Sequence, residues 1–176
     1  MLIDALAFTL EKSGCLEAFW GKLDDGTDAT LGVAASARPF LVAARFAHGP
    51  QATLVVVAGE DAAVAFARQV AAFLGEERVL RFPERADVPF APQKPGARVI
   101  AQRMEAAWAL QSARPVVVVA SARALLRLMA PPSAMAARPL VLRAGAELDA
   151  MGISGVTELD DLPRALAAAG YADTGE

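Results

Sequence analysis

The sequence contains a single cysteine, Cys15, and a single histidine, His48, among its 176 residues. One cysteine cannot form a disulfide within the chain, and this pair cannot supply the ligands of a zinc cluster. His48 lies in the turn His48-Gly49-Pro50, so we expect a loop residue rather than a member of a catalytic triad. The scarcity of cysteine is typical of proteins in a reducing cytoplasm. We therefore predict no disulfide and no metal site.

Long hydrophobic runs and an excess of basic charge are also missing. No apolar segment approaches the roughly 20 residues that cross a bilayer, and the N-terminus carries Asp4 instead of the basic start of a secretory signal. We therefore expect a cytoplasmic protein without a membrane partner. A net charge of −3 argues against a dedicated nucleic-acid-binding domain. Between Arg81 and Arg138, nine basic residues against three acidic ones keep a free-standing DNA-binding module open as an alternative.

Alternating strand and helix patterns predict an α/β fold with a parallel sheet over residues up to about 130. The predicted strands are the apolar runs at residues 29–33, 53–57, 79–82, 116–119 and 139–143. Helical spacing of apolar residues predicts helices at residues 2–23 (broken at Ser13-Gly14), 39–47, 62–74, 98–112, 122–129 and 159–169. The strands at 53–57 and 116–119 are uninterrupted apolar runs, which are typical of strands covered on both faces.

Residues 30–44 have the layout of a phosphate-binding P-loop, with a short strand, a glycine, a turn of small residues and a helix. In the pattern G-x-x-x-x-G-K-[ST], Gly32 is the first glycine. Ala37, Arg38 and Pro39 replace the second glycine, the lysine and the hydroxyl residue. The methyl group of Ala37 crowds the bend, and the planar guanidinium of Arg38 replaces the compact ammonium of lysine. Pro39 has neither a backbone N–H for phosphate nor a hydroxyl for Mg²⁺. This degenerate loop, residues 32–39, is therefore predicted to bind no nucleotide cofactor.

Three polar side chains are predicted to cap helices. Ser36 precedes the helix at 39–47, Asp61 the helix at 62–74, and Ser121 the helix at 122–129. Pro39 is tolerated because it falls in the first helical turn. The helix at 98–112 is expected to bury one apolar face: Val99, Met104, Trp108 and Leu110. The proline-rich segment 83–96 is a predicted surface loop.

Several short segments, taken in order, match one family. They are GVAASAR at 32–38, VVV at 55–57, FP at 82–83, VPF at 88–90, RVIAQRM at 98–104, VVVV at 116–119, ARALLRL at 122–128, GAELD at 145–149 and LAAAGY at 166–171. In this order and spacing the chain resembles the UvrB-like N-terminal module of the bacterial transcription-repair coupling factor, Mfd. UvrB itself keeps a G-K-T loop and a tyrosine-rich DNA-clamping hairpin. Arg38-Pro39, and the lack of Tyr or Trp between Phe82 and Val99, favour the coupling factor over UvrB.

The resemblance implies three regions. N-terminal helices occupy residues 1–28, a P-loop-NTPase-like α/β domain with a degenerate loop occupies 29–132, and the start of a small α+β subdomain occupies 133–176. It also implies that this chain carries no catalytic residue, because the family uses ATP in a separate motor. The implied role is to recruit UvrA, through the second subdomain, to stalled RNA polymerase in transcription-coupled nucleotide excision repair. RNA polymerase and double-stranded DNA would bind elsewhere in the family protein.

The family's members are much longer, so we expect this chain to be a fragment whose second subdomain is incomplete. Two alternatives stay open. A nucleotide-binding P-loop enzyme would need an acidic residue at a strand end and a base or lysine near the loop, and neither is evident in the sequence. A UvrB-like DNA-binding repair subunit is the other. A dinucleotide-binding domain is disfavoured because no G-x-G-x-x-G follows a predicted strand.

Overall fold

The computed structural model describes residues 12, 14, 16–85, 96–126, 145, 156 and 158–168. Six α-helices lie within these residues: α1 (Glu17–Asp24), α2 (Arg38–His48), α3 (Glu60–Leu74), α4 (Ala97–Gln111), α5 (Ala122–Leu125) and α6 (Leu162–Ala168). The strands are β1 (Thr53–Val57), β2 (Val79–Phe82) and β3 (Val117–Ser121). Single 3₁₀ turns precede α2, β2 and α6, at Ala35–Ala37, Glu76–Arg78 and Leu159–Asp161.

The chain divides into two compact units, Met1–Ala130 and Pro131–Glu176. The first contains the sheet and helices α1 to α5. In the second, a capping box fixes the start of the 3₁₀ turn that leads into α6. The Glu158 backbone N–H donates to Asp161 at 3.3 Å, and the Glu158 carboxylate accepts the Asp161 backbone N–H in return. The predicted helix at 159–169 is therefore present, as this turn followed by α6.

The three strands form one parallel sheet in the order β1-β3-β2. β3 is central, and its Val117 is level with Thr53 of β1 on one side and Val79 of β2 on the other. All five residues of β3 are buried, as its uninterrupted apolar run predicts. The predicted α/β fold with a parallel sheet is confirmed at this level, by one small sheet of three strands.

Helices cover both faces of the central strand. On one face, Phe46 of α2 and Val70 of α3 pack in one cluster with Val119. On the other face, Ala106 and Ala109 of α4 pack against the opposite side chains of β3 and β2. Alanine at these positions lets α4 approach the sheet without leaving voids. The central strand is thus enclosed between α2 and α3 on one side and α4 on the other.

β1 differs from the prediction, because only one of its faces is covered. Val55 and Val57 pack against the core, whereas Leu54 and Val56 are 43% and 50% exposed. β1 lies at the edge of the sheet, and α4 packs over β2 and β3 instead. The prediction of burial on both faces is therefore wrong for β1, because an apolar run cannot show how far the neighbouring helix extends.

Arg45 attaches α1 to α2. Its guanidinium lies over the ring of Trp20, 5.8 Å from the ring centre, and one of its nitrogens is 2.5 Å from the carboxylate of Asp24. Trp20 is buried, and its ring packs at a tilt against Phe19 with 5.2 Å between centres. A buried aromatic ring and a charge pair therefore hold the N-terminal helix on the α/β core.

α4 begins and ends one residue earlier than the predicted helix at 98–112. Its buried residues are Arg103, Ala106 and Ala109, whereas Met104 is 43% exposed. The prediction that Met104 faces the core is therefore wrong. Small alanines satisfy the close packing against the sheet, and the long side chain that enters the interior is that of Arg103.

The predicted strand at residues 29–33 is not formed, since residues 27–34 have no regular secondary structure. Leu31 and Val33 are half-buried while Thr30 and Gly32 are exposed, which is the alternation of a strand with one inward face. Among the described strands, none pairs with this segment. A strand needs a neighbouring backbone to complete its hydrogen bonds. The alternating side chains alone are therefore not enough to make residues 29–33 a strand.

Of the three predicted caps, one is confirmed. Ser121 is the N-cap of α5, and its Oγ accepts the backbone N–H of Ala124 at 3.0 Å. Ser36 instead lies exposed inside the 3₁₀ turn, so that prediction is wrong. Asp61 is also not the cap of its helix, because α3 begins earlier and Gly59 holds the N-cap position. Asp61 lies in the first turn, where its negative charge interacts favourably with the positive end of the helix dipole.

Some predictions lie outside the described residues. These are the first N-terminal helix, most of the loop at 83–96, the end of the helix at 122–129 and the strand at 139–143. Within the described residues, no helix is long and apolar enough to span a lipid bilayer.

Candidate functional site

Polar side chains follow each strand at the carboxyl edge of the sheet. Glu60 begins the helix after β1, Glu84 lies in the turn after β2, and Ser121 ends β3. In open α/β sheets, ligands bind outside the carboxyl ends of the strands. We refer to these three residues, with Arg81 and Arg123, as the carboxyl-edge cluster.

Glu60 is held by two donors from β2 and the turn after it. Its carboxylate forms an ion pair and hydrogen bond with the guanidinium of Arg81, and both side chains are 30% exposed. Its second oxygen accepts the backbone N–H of Glu84 at 3.0 Å. Both oxygens of Glu60 are therefore engaged by the protein.

Glu84 is engaged in the same way from the other side. Its Oε1 accepts a hydrogen bond from Ser121 Oγ at 2.5 Å, and its Oε2 is 4.0 Å from a guanidinium nitrogen of Arg123. Ser121 is fully buried, and its oxygen also accepts the N–H of Ala124. A carboxylate beside a hydroxyl is the arrangement that activates a nucleophile. Here, however, the hydroxyl is inaccessible and serves as a helix cap.

Arg103 fixes the turn that carries Glu84. It is buried, and one guanidinium nitrogen donates to the carbonyl oxygens of Pro83 at 2.7 Å and Ala124 at 3.3 Å. The guanidinium lies over the ring of Phe82, 4.0 Å from its centre. One cation thus joins the end of β2 to the start of α5 and positions the cluster.

Both carboxylates of the cluster are paired within it. Two carboxylates face two arginines, Arg81 and Arg123, and the carboxylate oxygens already accept protein donors or lie beside a cation. Within the described residues, no group of three or more His, Cys, Asp or Glu side chains could hold a metal ion. This arrangement joins the carboxyl ends of the three strands through side-chain contacts.

The degenerate loop is exposed apart from Val33 and its last residues. Gly32, Ser36 and Arg38 are exposed, Ala37 is half-buried, and Pro39 is buried at the start of α2. A P-loop directs free backbone N–H groups at phosphate. The N–H of Ala37 instead donates to the carbonyl of Ala34 at 3.0 Å, within the 3₁₀ turn.

The structure does not bring the degenerate loop and the carboxyl-edge cluster together. Phe40, which follows the loop, packs edge-on against Phe73 near the end of α3, with 5.7 Å between ring centres. Glu60, in the cluster, is the first residue of the same helix. The 15 residues of α3 extend about 22 Å. The loop therefore lies toward the end of α3 remote from the cluster, and no described strand leads into it.

Sequence reasoning missed the carboxyl-edge cluster. It found no acidic residue at a strand end, whereas Glu60 and Glu84 follow β1 and β2 within three residues. Their common position after parallel strands could have identified them. Their pairing could not be predicted, because Ser121 and Glu84 are 37 residues apart in sequence.

No protein-family model, no curated protein and no solved structure matches this chain. Its family is therefore not established by similarity, and its function has to be inferred from its own residues.

Proposed function

We propose that this chain is the non-catalytic, UvrB-like interaction module of a bacterial transcription-repair coupling factor. In this role it acts in the cytoplasm, in transcription-coupled nucleotide excision repair, and helps to bring UvrA to a stalled RNA polymerase. Two observations support this family. The short matching sequence segments between residues 32 and 171 follow the family's order, and the first unit contains a parallel α/β sheet. UvrA docking is assigned to the second unit, Pro131–Glu176, and polymerase and DNA contacts to other parts of the family protein.

The observation that carries the non-catalytic part of the proposal is the pairing of both carboxylates in the carboxyl-edge cluster. Catalysis of phosphoryl transfer needs a carboxylate that can bind Mg²⁺ or orient a nucleophile at this edge. Glu60 and Glu84 are both occupied, by Arg81 and by Ser121. The degenerate loop adds a second defect at a different place, since Pro39 has neither N–H nor hydroxyl.

A P-loop-type ancestry of the first unit belongs to the same proposal. The alternation of half-buried Ala29, Leu31 and Val33 with exposed Thr30 and Gly32 supports it, because a loop-bearing strand with one inward face has this pattern. The loop sequence and the helix that follows it keep the P-loop order, with Pro39 in the first helical turn. The segment 29–33 would become a strand only when another backbone pairs with it.

The test uses the complete product of the gene that encodes this chain. Binding to immobilised UvrA is measured by biolayer interferometry, with and without deletion of residues 131–176. We expect the deletion to weaken binding at least tenfold. Unchanged binding would place the docking surface outside the second unit, and no binding by either protein would contradict the proposal.

Two further measurements separate the alternatives. Calorimetric titration of the 176-residue chain with ATP·Mg²⁺ is expected to show no binding, and micromolar affinity would favour a nucleotide-dependent enzyme. Titration with double-stranded DNA at two salt concentrations is expected to show only weak, salt-sensitive association. Tight binding would favour a UvrB-like DNA-binding subunit, with the basic residues between Arg81 and Arg138 as its contacts.

A further inference from the structure

A groove runs along the outer edge of β2, between α3 and α4. It has a volume of about 630 Å³, and its described lining residues all belong to the first unit. Residues of α3 form one wall, residues of α4 form the other, and Val79, Leu80 and Arg81 of β2 form the floor. We refer to it as the β2-edge groove.

The floor of this groove is an unpaired strand edge. β2 pairs with β3 on one side only, and no other described strand lies beside it. In a parallel pair, alternate residues direct their N–H and C=O groups away from the partner. The N–H of Val79 donates to the carbonyl oxygen of Glu76 in the preceding 3₁₀ turn. Among the described residues, no other backbone hydrogen bond outside the sheet uses the groups of β2. The outer edge of β2 therefore offers the N–H of Arg81 and the outward carbonyl groups of the strand to a further strand.

The two walls differ in chemistry. The α3 wall is lined by Ala67, Ala71 and Ala72, whose small side chains leave room above the strand edge. The α4 wall carries Arg98 and Gln102, which are polar donors. Successive side chains of a strand point to opposite faces. A strand added at this edge would therefore direct every second side chain toward alanines and the others toward polar donors.

The charges that line the groove determine which charge a bound strand should carry on its polar side chains. Arg68 on the α3 wall and Arg98 on the α4 wall are exposed, and neither forms an ion pair with another described residue. Of the two acids that line the groove, Glu105 is 3.8 Å from Arg114, whereas Glu76 is exposed and forms no ion pair with another described residue. Two unpaired guanidinium groups against one unpaired carboxylate leave an excess of positive charge, which favours a carboxylate-bearing ligand.

We propose that the β2-edge groove receives an extended segment of a partner protein, which adds to the sheet as a fourth strand beside β2. Apolar side chains of this segment alternate with acidic ones. The apolar side chains fill the space over Ala71, and the acidic ones contact Arg98 and Gln102. Backbone pairing supplies much of the affinity, and the alternation supplies the specificity.

The probe is a fluorescein-labelled octapeptide of alternating valine and glutamate, with a valine-lysine octapeptide of equal length as its counterpart. Fluorescence anisotropy with the full chain is expected to show binding of the glutamate peptide at least tenfold tighter than that of the lysine peptide. Arg98→Glu is expected to reverse this order. Glutamate is favourable in the first turn of α4, so this variant should fold. Arg38→Glu, in the first turn of α2, is the matched control and should leave both affinities unchanged.

A second pair of measurements distinguishes strand addition from surface attraction. Ala71→Phe fills the groove without changing charge and should abolish binding of the glutamate peptide. Hydrogen exchange should slow at the amides of Val79–Phe82 when that peptide is bound. Equal affinity for both peptides, or unchanged exchange in β2, would overturn the proposal.

Self-association would also overturn it. Protection of β2 that appears with rising protein concentration and no peptide, together with a dimer in sedimentation, would assign the edge to a second copy of the chain. These measurements involve neither UvrA nor ATP. Their outcome is therefore separate from that of the proposed function.

Discussion

Ser121 Oγ donates a hydrogen bond to Glu84 Oε1 at 2.5 Å, which joins the end of the central strand to the turn after β2. The same oxygen accepts the backbone N–H of Ala124 at 3.0 Å. The backbone N–H of Glu84 in turn donates a hydrogen bond to the carboxylate of Glu60, in the helix after β1. One hydroxyl therefore connects the carboxyl ends of all three strands through two carboxylates, and this connection can be tested by removing single groups.

Replacing Ser121 by alanine is expected to lower the free energy of unfolding by about 2 kcal/mol. Loss of an N-cap side chain costs about 0.5–1 kcal/mol, and loss of a hydrogen bond to a charged group costs about 1.5 kcal/mol at the lower end of its range. Urea denaturation followed by circular dichroism measures the change. Ser36→Ala is the control, because Ser36 is exposed and caps no helix. Equal effects of the two substitutions would contradict the role given to Ser121.

Replacing Arg103 by methionine is expected to cost about 3 kcal/mol. The substitution keeps the length of the side chain but deprives the carbonyl oxygens of Pro83 and Ala124 of a buried donor. Arg98→Met, on an exposed position of the same helix, should change the free energy of unfolding by less than about 0.5 kcal/mol. The two variants are compared by urea denaturation, and a small effect at Arg103 would show that the guanidinium is not needed to hold the turn.

Val56 and Val118 lie on the same face of the sheet but in different surroundings. Val56 is 50% exposed, whereas Val118 is fully buried. Val118→Thr places a hydroxyl in an apolar core and is expected to cost about 2 kcal/mol. Val56→Thr leaves the hydroxyl in water and should cost less than about 0.5 kcal/mol. Thermal unfolding of the two variants checks this, and similar losses would mean that the outer face of β1 is covered in solution.

Local sequence features predict where the helices and strands of the first unit lie better than how these elements pack against one another. The run Thr53–Val57 and the run at 116–119 identified strands, and Gly75, with a φ of +93°, marked the end of α3. Each of these depends on neighbouring residues only. Burial of one face of β1 depends on where α4 lies, which no residue within β1 encodes. This is why the prediction failed at Leu54 and Val56.

The candidate site depended even more on distant contacts. Arg81 and Glu60 are 21 residues apart, and they meet only because β2 lies beside β3 in the observed register. The degenerate loop, by contrast, was visible as a motif because its residues are consecutive. The strand predicted before this loop, at residues 29–33, is not formed, because an alternating segment still requires a partner backbone for its hydrogen bonds. The motif could therefore be seen in the sequence, whereas the geometry of the cluster came only from the fold.

The last prediction concerns nucleotide binding. Neither the natural chain nor Arg38→Lys is expected to bind ATP·Mg²⁺ in a calorimetric titration. A working loop combines backbone N–H groups, a lysine and a metal-bound hydroxyl, and a charge-assisted hydrogen bond contributes about 1.5–3 kcal/mol. Loss of two such contacts and the metal ligand costs roughly 4 kcal/mol, which is about a thousandfold in affinity.

Arg38→Lys restores one of these groups and leaves Pro39 in place. The N–H of Ala37 also stays within its 3₁₀ turn, bonded to Ala34 at 3.0 Å. The triple variant Ala37→Gly, Arg38→Lys, Pro39→Thr therefore separates two causes. Binding by the triple variant alone would show that the three side chains had removed the site, and no binding would show that the backbone of the loop had changed as well. Hydrolysis is expected in neither case, because the acids at the sheet edge, Glu60 and Glu84, are engaged by other protein groups. Micromolar binding by the natural chain would contradict the non-catalytic proposal.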